Sequence, residues 1–240
     1  EHAKADGDPS YLFFENRQGF NFVTLDRLNS ADVVQKFEYN NSTQQIDPGG
    51  GSNRDLIQDY KRITEFHTPT TFDYMDKVGS GAFGSTMLFM DLTTKKYFNL
   101  KYSIFDDQTQ RLNPYPPTST SLYSTYRSKM FGDVIHTEMF TDFGDVSTAT
   151  YKQSRTARIK QSTYFKLRIV VPGRTDYTVG QKVYVKKFKA EPIAKDDPED
   201  KIIDNVISGN YLIGSINHVF DREKHECHME LIKDSLIVGL

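Results

Sequence analysis

A chain of 240 residues is long enough to bury a proper core and to form one or two domains. Its 30 Lys and Arg nearly cancel its 32 Asp and Glu, leaving a formal charge of -2 and no footprint for nucleic acid or an anionic membrane. The lone Cys227 excludes an intramolecular disulfide and fits assembly in a reducing cytoplasm; no stretch approaches the roughly 20 apolar residues of a spanning helix and no apolar centre marks a signal peptide, so a soluble product is expected.

Seventeen Phe and 14 Tyr with no Trp favour strand over helix, because aromatic side chains suit a pleated surface. Tyr11 to Phe14 and Phe20 to Val23 flank a Gly-containing turn and read as a β-hairpin. Leu25 to Leu28 reads as a helical turn or cap, and Phe37 to Tyr39 returns to alternation. Asn40 to Asn53, with Pro48-Gly-Gly-Gly51, is a loop. Asp55 to Phe66 fits a helix through Leu56, Ile57, Tyr60 and Ile63, and fits strand equally at Thr64 to Phe66. Ser85 to Tyr102 reads as two strands around a turn near Thr93 to Lys95. Asn113 to Ser121 is a Pro-rich surface loop, and Tyr151 to Gln161 a polar helix. Four strands close the chain, at Thr163 to Val171, Lys182 to Phe188, Tyr211 to Phe220 and His225 to Lys233, with a charged loop at Glu191 to Asp204. The fold class expected is mainly β, a β-rich α+β chain whose centre is a small antiparallel β-barrel.

Several motifs invite a catalytic reading. Gly79-Ser-Gly-Ala-Phe-Gly84 fits GxGxxG and Asp142-Phe-Gly144 fits the magnesium-binding triplet of kinases, but the strand Lys, the catalytic loop and the A-P-E segment are missing. A dinucleotide site would need a helix after the glycines, where a β-patterned run stands. His218, His225, Cys227 and His228 raise zinc. Alternation puts His225 and Cys227 on one face of a strand and His228 on the other, while His218 on a neighbouring strand could join one face; without the paired spacing of structural zinc sites the expectation is no metal, hydrogen-bonded histidines and a core thiol. Adjacent acids such as Asp106-Asp107 and Asp196-Asp197 sit in polar turns, not across a cleft. No catalytic residue and no cofactor site are therefore assigned. The residues singled out are structural: Pro172 ends a ladder, Gly173, Gly180 and Gly209 serve strand ends where a positive φ or a bulge is useful, and Tyr184 and Tyr211 are candidates for a barrel rim or subunit interface.

Val171-Pro-Gly173, Val179 to Val183, Ser208 to Ile213, Ile216 to Val219 and Met229 to Asp234 follow one another in an order that resembles the closing barrel of the baseplate central hub proteins of contractile-tailed, T-even-like bacteriophages. Asp55 to Tyr60 and Phe72 to Tyr74 are similar to that barrel's first part, and Tyr11 to Val23 to the segment before it. The resemblance implies residues 1–35 as strands of an outer domain, 36–78 as the first part of the barrel, 79–158 as an insertion into the outer domain and 159–240 as the return strands. It implies a non-enzymatic virion protein of the tail baseplate, assembled in the host cytoplasm: a homotrimer that adapts the sixfold tail tube to the threefold central spike, with the spike or tail-lysozyme protein, tube or tube-initiator proteins and the tape measure protein as partners. The family's N-terminal barrel has no counterpart here and the chain opens without Met, so it is expected to be a fragment, a processed form or the ordered part of a longer protein. The alternative is a tail-associated hydrolase or carbohydrate-binding β module.

Overall fold

A computed structural model describes residues 8–39, 60–68, 74–103, 111–113, 137–142, 146–163, 165–189 and 203–235. The fold is mainly β, as expected. The elements are β1 (Tyr11–Asn16), β2 (Gly19–Thr24), α1 (Leu25–Ser30), β3 (Val33–Tyr39), β4 (Glu65–His67), α2 (Tyr74–Gly79), β5 (Gly84–Asp91), β6 (Lys96–Ser103), β7 (Thr137–Asp142), α3 (Val146–Ser162), β8 (Phe165–Pro172), β9 (Lys182–Lys187), β10 (Gly209–Phe220) and β11 (His225–Lys233). The ambiguous stretch before Phe66 resolves as strand at Glu65–His67, while 55–59, the whole of the 40–53 loop, 114–121 and 190–202 lie outside the described residues.

Six strands in the order β3-β9-β10-β11-β8-β4 make one sheet, which curls into a half-barrel. The sheet is antiparallel, as expected of the small barrel, at every pairing but one: β3 runs parallel to β9, from Val33 opposite Lys182 to Tyr39 opposite Lys187. A parallel neighbour requires a long crossover, and here some 140 residues of intervening chain supply it. The two edges of the curled sheet meet near Glu38: its N–H donates to Lys61 O at 2.8 Å and its carbonyl accepts from Ile63 N at 3.0 Å. Across the same seam Tyr39 and Phe66 stack with centroids 4.8 Å apart.

Alternation fills the concave side. Leu167, Ile169 and Val171 on β8 lie opposite Leu231, Met229 and Cys227 on β11, and Val183, Val185, Phe37, Tyr211 and Ile213 complete the core. Burying each such side chain contributes roughly 1.5–3 kcal/mol. A second, smaller core on the other face joins Leu212 to Leu25 and Leu112, so the α1 segment and residue 112 cover the end of the barrel. There Leu112 N donates to Asp234 Oδ2 at 2.9 Å and Asn210 Nδ2 to Leu112 O at 3.0 Å. The sheet β6-β5-β7 stands between these parts in sequence and is held by α3: Gln153 Nε2 donates to the carbonyls of Ser85 at 3.1 Å and Leu100 at 3.2 Å.

Lys233 takes the next inward position after Leu231 and is fully buried. Its ammonium donates to the carbonyls of Ser208 at 2.7 Å, Val206 at 3.2 Å and Ile207 at 3.5 Å, and lies over the Tyr211 ring at 5.1 Å. Burial pulls its pKa down to about 8, against the opposing pull of Asp234 and Asp204. Between pH 8 and 10.5 the unfolded chain therefore binds more protons at this group than the folded one, so its contribution to stability rises with pH across that window and is lost as pH falls through 8, a span of about 3 kcal/mol. The raised phenols of Tyr177 and Tyr211 and the raised thiol of Cys227 act in the opposite sense. The difference in urea-unfolding free energy between wild type and Lys233→Met should thus grow in favour of the wild type from pH 7.5 to 10; a difference independent of pH would contradict this account.

Candidate functional site

Two places stand out on the barrel, an aromatic hairpin surface and a histidine–cysteine cluster. In the β1–β2 hairpin, Leu12 and Phe14 turn toward the barrel end, while Tyr11, Phe13, Phe20 and Phe22 line the other side. Tyr11 stacks on Phe22 at 4.6 Å and Phe13 on Phe20 at 5.8 Å, a ladder of diagonal pairs. Phe13, Phe20 and Phe22 are 69%, 74% and 62% exposed, which for three adjacent rings is a costly surface to leave in water.

The hairpin is firmly placed. Thr24 caps α1, its Oγ1 accepting from Arg27 N at 3.4 Å. Asp26 of α1 is ion-paired with Arg158 of α3, and Lys182 Nζ of β9 donates to Asn29 O at 2.8 Å. Gly180 is the contact point: its φ is +87°, and a Cβ there would lie 2.7 Å from Phe14 Cζ. Gly180→Ala is expected to cost about 1–3 kcal/mol in thermal or urea unfolding, from left-handed strain together with displacement of Phe14. An unchanged stability would mean that the hairpin does not rest on this turn.

At the far end of the β10–β11 pair, register rather than sequence spacing makes the second site. His218 lies directly opposite Cys227 and Phe220 opposite His225. A bulge at Gly214 shifts the parity of β10, so that Ile213 before it and Ile216, His218 and Phe220 after it share a side. His218 Nδ1 is 3.1 Å from His225 Nε2 and 3.2 Å from Cys227 Sγ, and Cys227 Sγ is 3.9 Å from His225 Nε2. The cysteine is buried and the two histidines half-buried. Desolvation pushes the thiol pKa up, and the thiol donates to Arg174 O at 3.6 Å. His228 points away and is exposed, 4.0 Å from Glu226.

The residues singled out from sequence divide accordingly. Pro172 is the last residue of β8, opposite Glu226. Gly209 has a φ of +139° at the start of β10. Gly173, expected to serve a positive φ or a bulge at a strand end, does not have a positive φ. A Cβ at this position would lie 2.1 Å from His225 Cγ, so the imidazole occupies the space that any other residue would fill. Tyr184 is half-buried, with Lys36 and Asn210 as strand partners. Tyr211 is not available as an interface residue: it is fully buried, and its hydroxyl donates to Ile207 O. Gly79 to Gly84 joins α2 to β5, a helix before and a strand after, the reverse of a phosphate-binding turn. Asp142 ends β7, and Phe143 and Gly144 lie outside the described residues. Sequence reasoning did not mark the Phe13, Phe20 and Phe22 face as exposed; their odd–even alternation against Leu12 and Phe14 was the available signal.

No protein-family model and no curated protein sequence matches the chain. Among solved structures, it is similar to a tail protein from Neisseria meningitidis MC58, with 12% identity over 87% of this chain and 46% of that one and a TM-score of 0.45. It is similar to the 43 kDa tail protein of prophage MuSo2 from Shewanella oneidensis, with 10% identity over 94% of this chain and 51% of that one and a TM-score of 0.47. A chain of the virion of a native gene transfer agent particle aligns at 9% identity over 70% of this chain and 27% of that one, with a TM-score of 0.32. The chain thus spans about half the length of the two tail proteins, and about a quarter of the third chain.

Proposed function

We propose that this chain is a structural protein of a phage-type tail, a baseplate hub subunit that associates with further copies of itself and with neighbouring tail proteins and performs no turnover. The observation that carries the association is the exposed aromatic face of Phe13, Phe20 and Phe22, with Phe13 stacked on Phe20 and Phe22 on Tyr11, on a hairpin that is itself anchored to the barrel. Protein surfaces of this kind are ordinarily covered by another protein. The hub assignment is supported by the sequence blocks Val171 to Gly173, Val179 to Val183, Ser208 to Ile213, Ile216 to Val219 and Met229 to Asp234, whose strands β9, β10, β11 and β8 are adjacent in one curled sheet. Two of the similar solved structures above are also tail proteins, one of them from a prophage. In the hub reading the oligomer is a homotrimer, its partners are the spike or tail-lysozyme protein, the tube or tube-initiator proteins and the tape measure protein, and its location is the tail baseplate of the virion.

Burying a Phe side chain is worth about 2 kcal/mol, so removing one ring weakens an interface by about thirtyfold. Sedimentation velocity at micromolar concentration should therefore show a trimer or larger ring for the wild type and its loss for Phe13→Ser with Phe20→Ser. The monomer's thermal stability should change little, because both rings are exposed within the chain. A wild type that stays monomeric throughout that range counts against self-association, and an oligomer untouched by the double substitution moves the interface elsewhere.

A further inference from the structure

From the convergence of His218, His225 and Cys227, the geometry points to a transition-metal site on the β10–β11 hairpin: a Cys-His-His centre for a thiophilic divalent cation of the zinc class, with a fourth position open to solvent. Tetrahedral zinc with Zn–N near 2.0–2.1 Å and Zn–S near 2.3 Å places its ligand nitrogens about 3.4 Å apart and nitrogen and sulfur about 3.6 Å apart. The observed separations are 3.1 Å between the nitrogens and 3.2 and 3.9 Å from sulfur, so one ion fits between the three atoms with shifts of a few tenths of an ångström. A hydrogen-bonded trio is the competing use of these contacts.

What favours the ion is the way the ligands are held. The His225 ring is packed from two sides, by Gly173, where a Cβ would collide with it, and by Phe220, which stacks on it at 4.0 Å and 15°. Its backbone carbonyl accepts from Gly173 N at 2.7 Å, which ties the end of β8 to the start of β11. Cys227 is pinned in the core and His218 stands opposite it across the ladder, so all three donors are fixed before any ligand arrives. One thiolate and two imidazoles select zinc, copper, nickel or cobalt over magnesium and calcium. Binding forms a sulfur–metal bond as the Cys227 thiol releases its proton to solvent, and clamps the hairpin tip to β8. This departs from the expectation of no metal, which rested on one strand's spacing and weighed His218 without its register. It is independent of the tail assignment, since it needs only the isolated chain.

The test is cobalt titration of the full chain carrying no polyhistidine tag. One equivalent of Co2+ should produce visible d–d bands and a near-ultraviolet sulfur-to-cobalt charge-transfer band, both removed by stoichiometric Zn2+, and Zn2+ should raise the melting temperature reversibly to EDTA. Cys227→Ser should abolish the charge-transfer band, and His218→Ala should weaken binding at least tenfold. Gly173→Ala, which displaces the His225 ring, should weaken it while the band remains. A wild type without the band, or a band that survives Cys227→Ser, overturns the site. Should the variants fail to fold, zinc-edge X-ray absorption of the wild type decides: a shell of one sulfur and two imidazoles upholds the proposal, and a shell of nitrogen and oxygen alone refutes it.

Discussion

Strand β11 is paired along nearly its whole length on both sides, with β10 from His225 to Ile232 and with β8 from Glu226 to Lys233. Its alternation sets which side of the half-barrel is dry. Cys227, Met229 and Leu231 point inward, and a slip of one residue would bring out His228, Glu230 and Ile232 instead, placing a carboxylate in the core. The same parity carries Lys233 inside, beside the rings of Phe165 and Tyr211. The barrel accommodates the ammonium by presenting the carbonyls of the 206–208 turn, itself organised by Asp204, whose Oδ1 accepts from Val206 N at 3.1 Å while its Oδ2 pairs with Lys187 Nζ at 2.9 Å. Hydrogen bonds from a charged donor thus substitute for apolar contact at that end of the core.

At the other end of β11 the constraint acts through β10. The Gly214 bulge inserts one residue between Ile213 and Ser215, and a Cβ at Gly214 would come within 3.3 Å of Ile232 Cγ2, so the close approach at this point also suits glycine. Had the ladder run without interruption, His218 would fall on the side opposite Cys227. The bulge therefore converts a strand residue that alternation would direct outward into a neighbour of the thiol, and the histidine–cysteine cluster exists only because of it.

The remaining parts attach to this frame largely by polar bonds. Helix α3 meets the β5–β6 pair through Gln153, and residues 111–113 are clipped to the barrel end by Asp234, Asn210 and Ser235. The β1–β2 hairpin uses apolar contact, with Leu12 and Leu28 against Leu25, Leu112 and Leu212. That arrangement spends the hairpin's inner face on the barrel and leaves its aromatic face outward. An anchored hairpin offers a partner a surface whose ordering entropy has already been met.

Local pattern by itself determined the strand-rich class, the aromatic hairpin, the β5–β6 pair and the four closing strands, because period-2 alternation and turn residues act over a few neighbours. It also placed His225 and Cys227 on one face. Three matters needed the tertiary structure. The parallel pairing of β3 with β9 depends on residues far apart in the chain. The burial of Tyr211 depends on which side of β10 is enclosed, and a tyrosine reads equally well as rim or core. The meeting of His218 with Cys227 depends on a bulge that shifts parity by one residue. Each is a question of register between strands, which no single segment encodes, since register is decided by how both faces of the assembled sheet are buried.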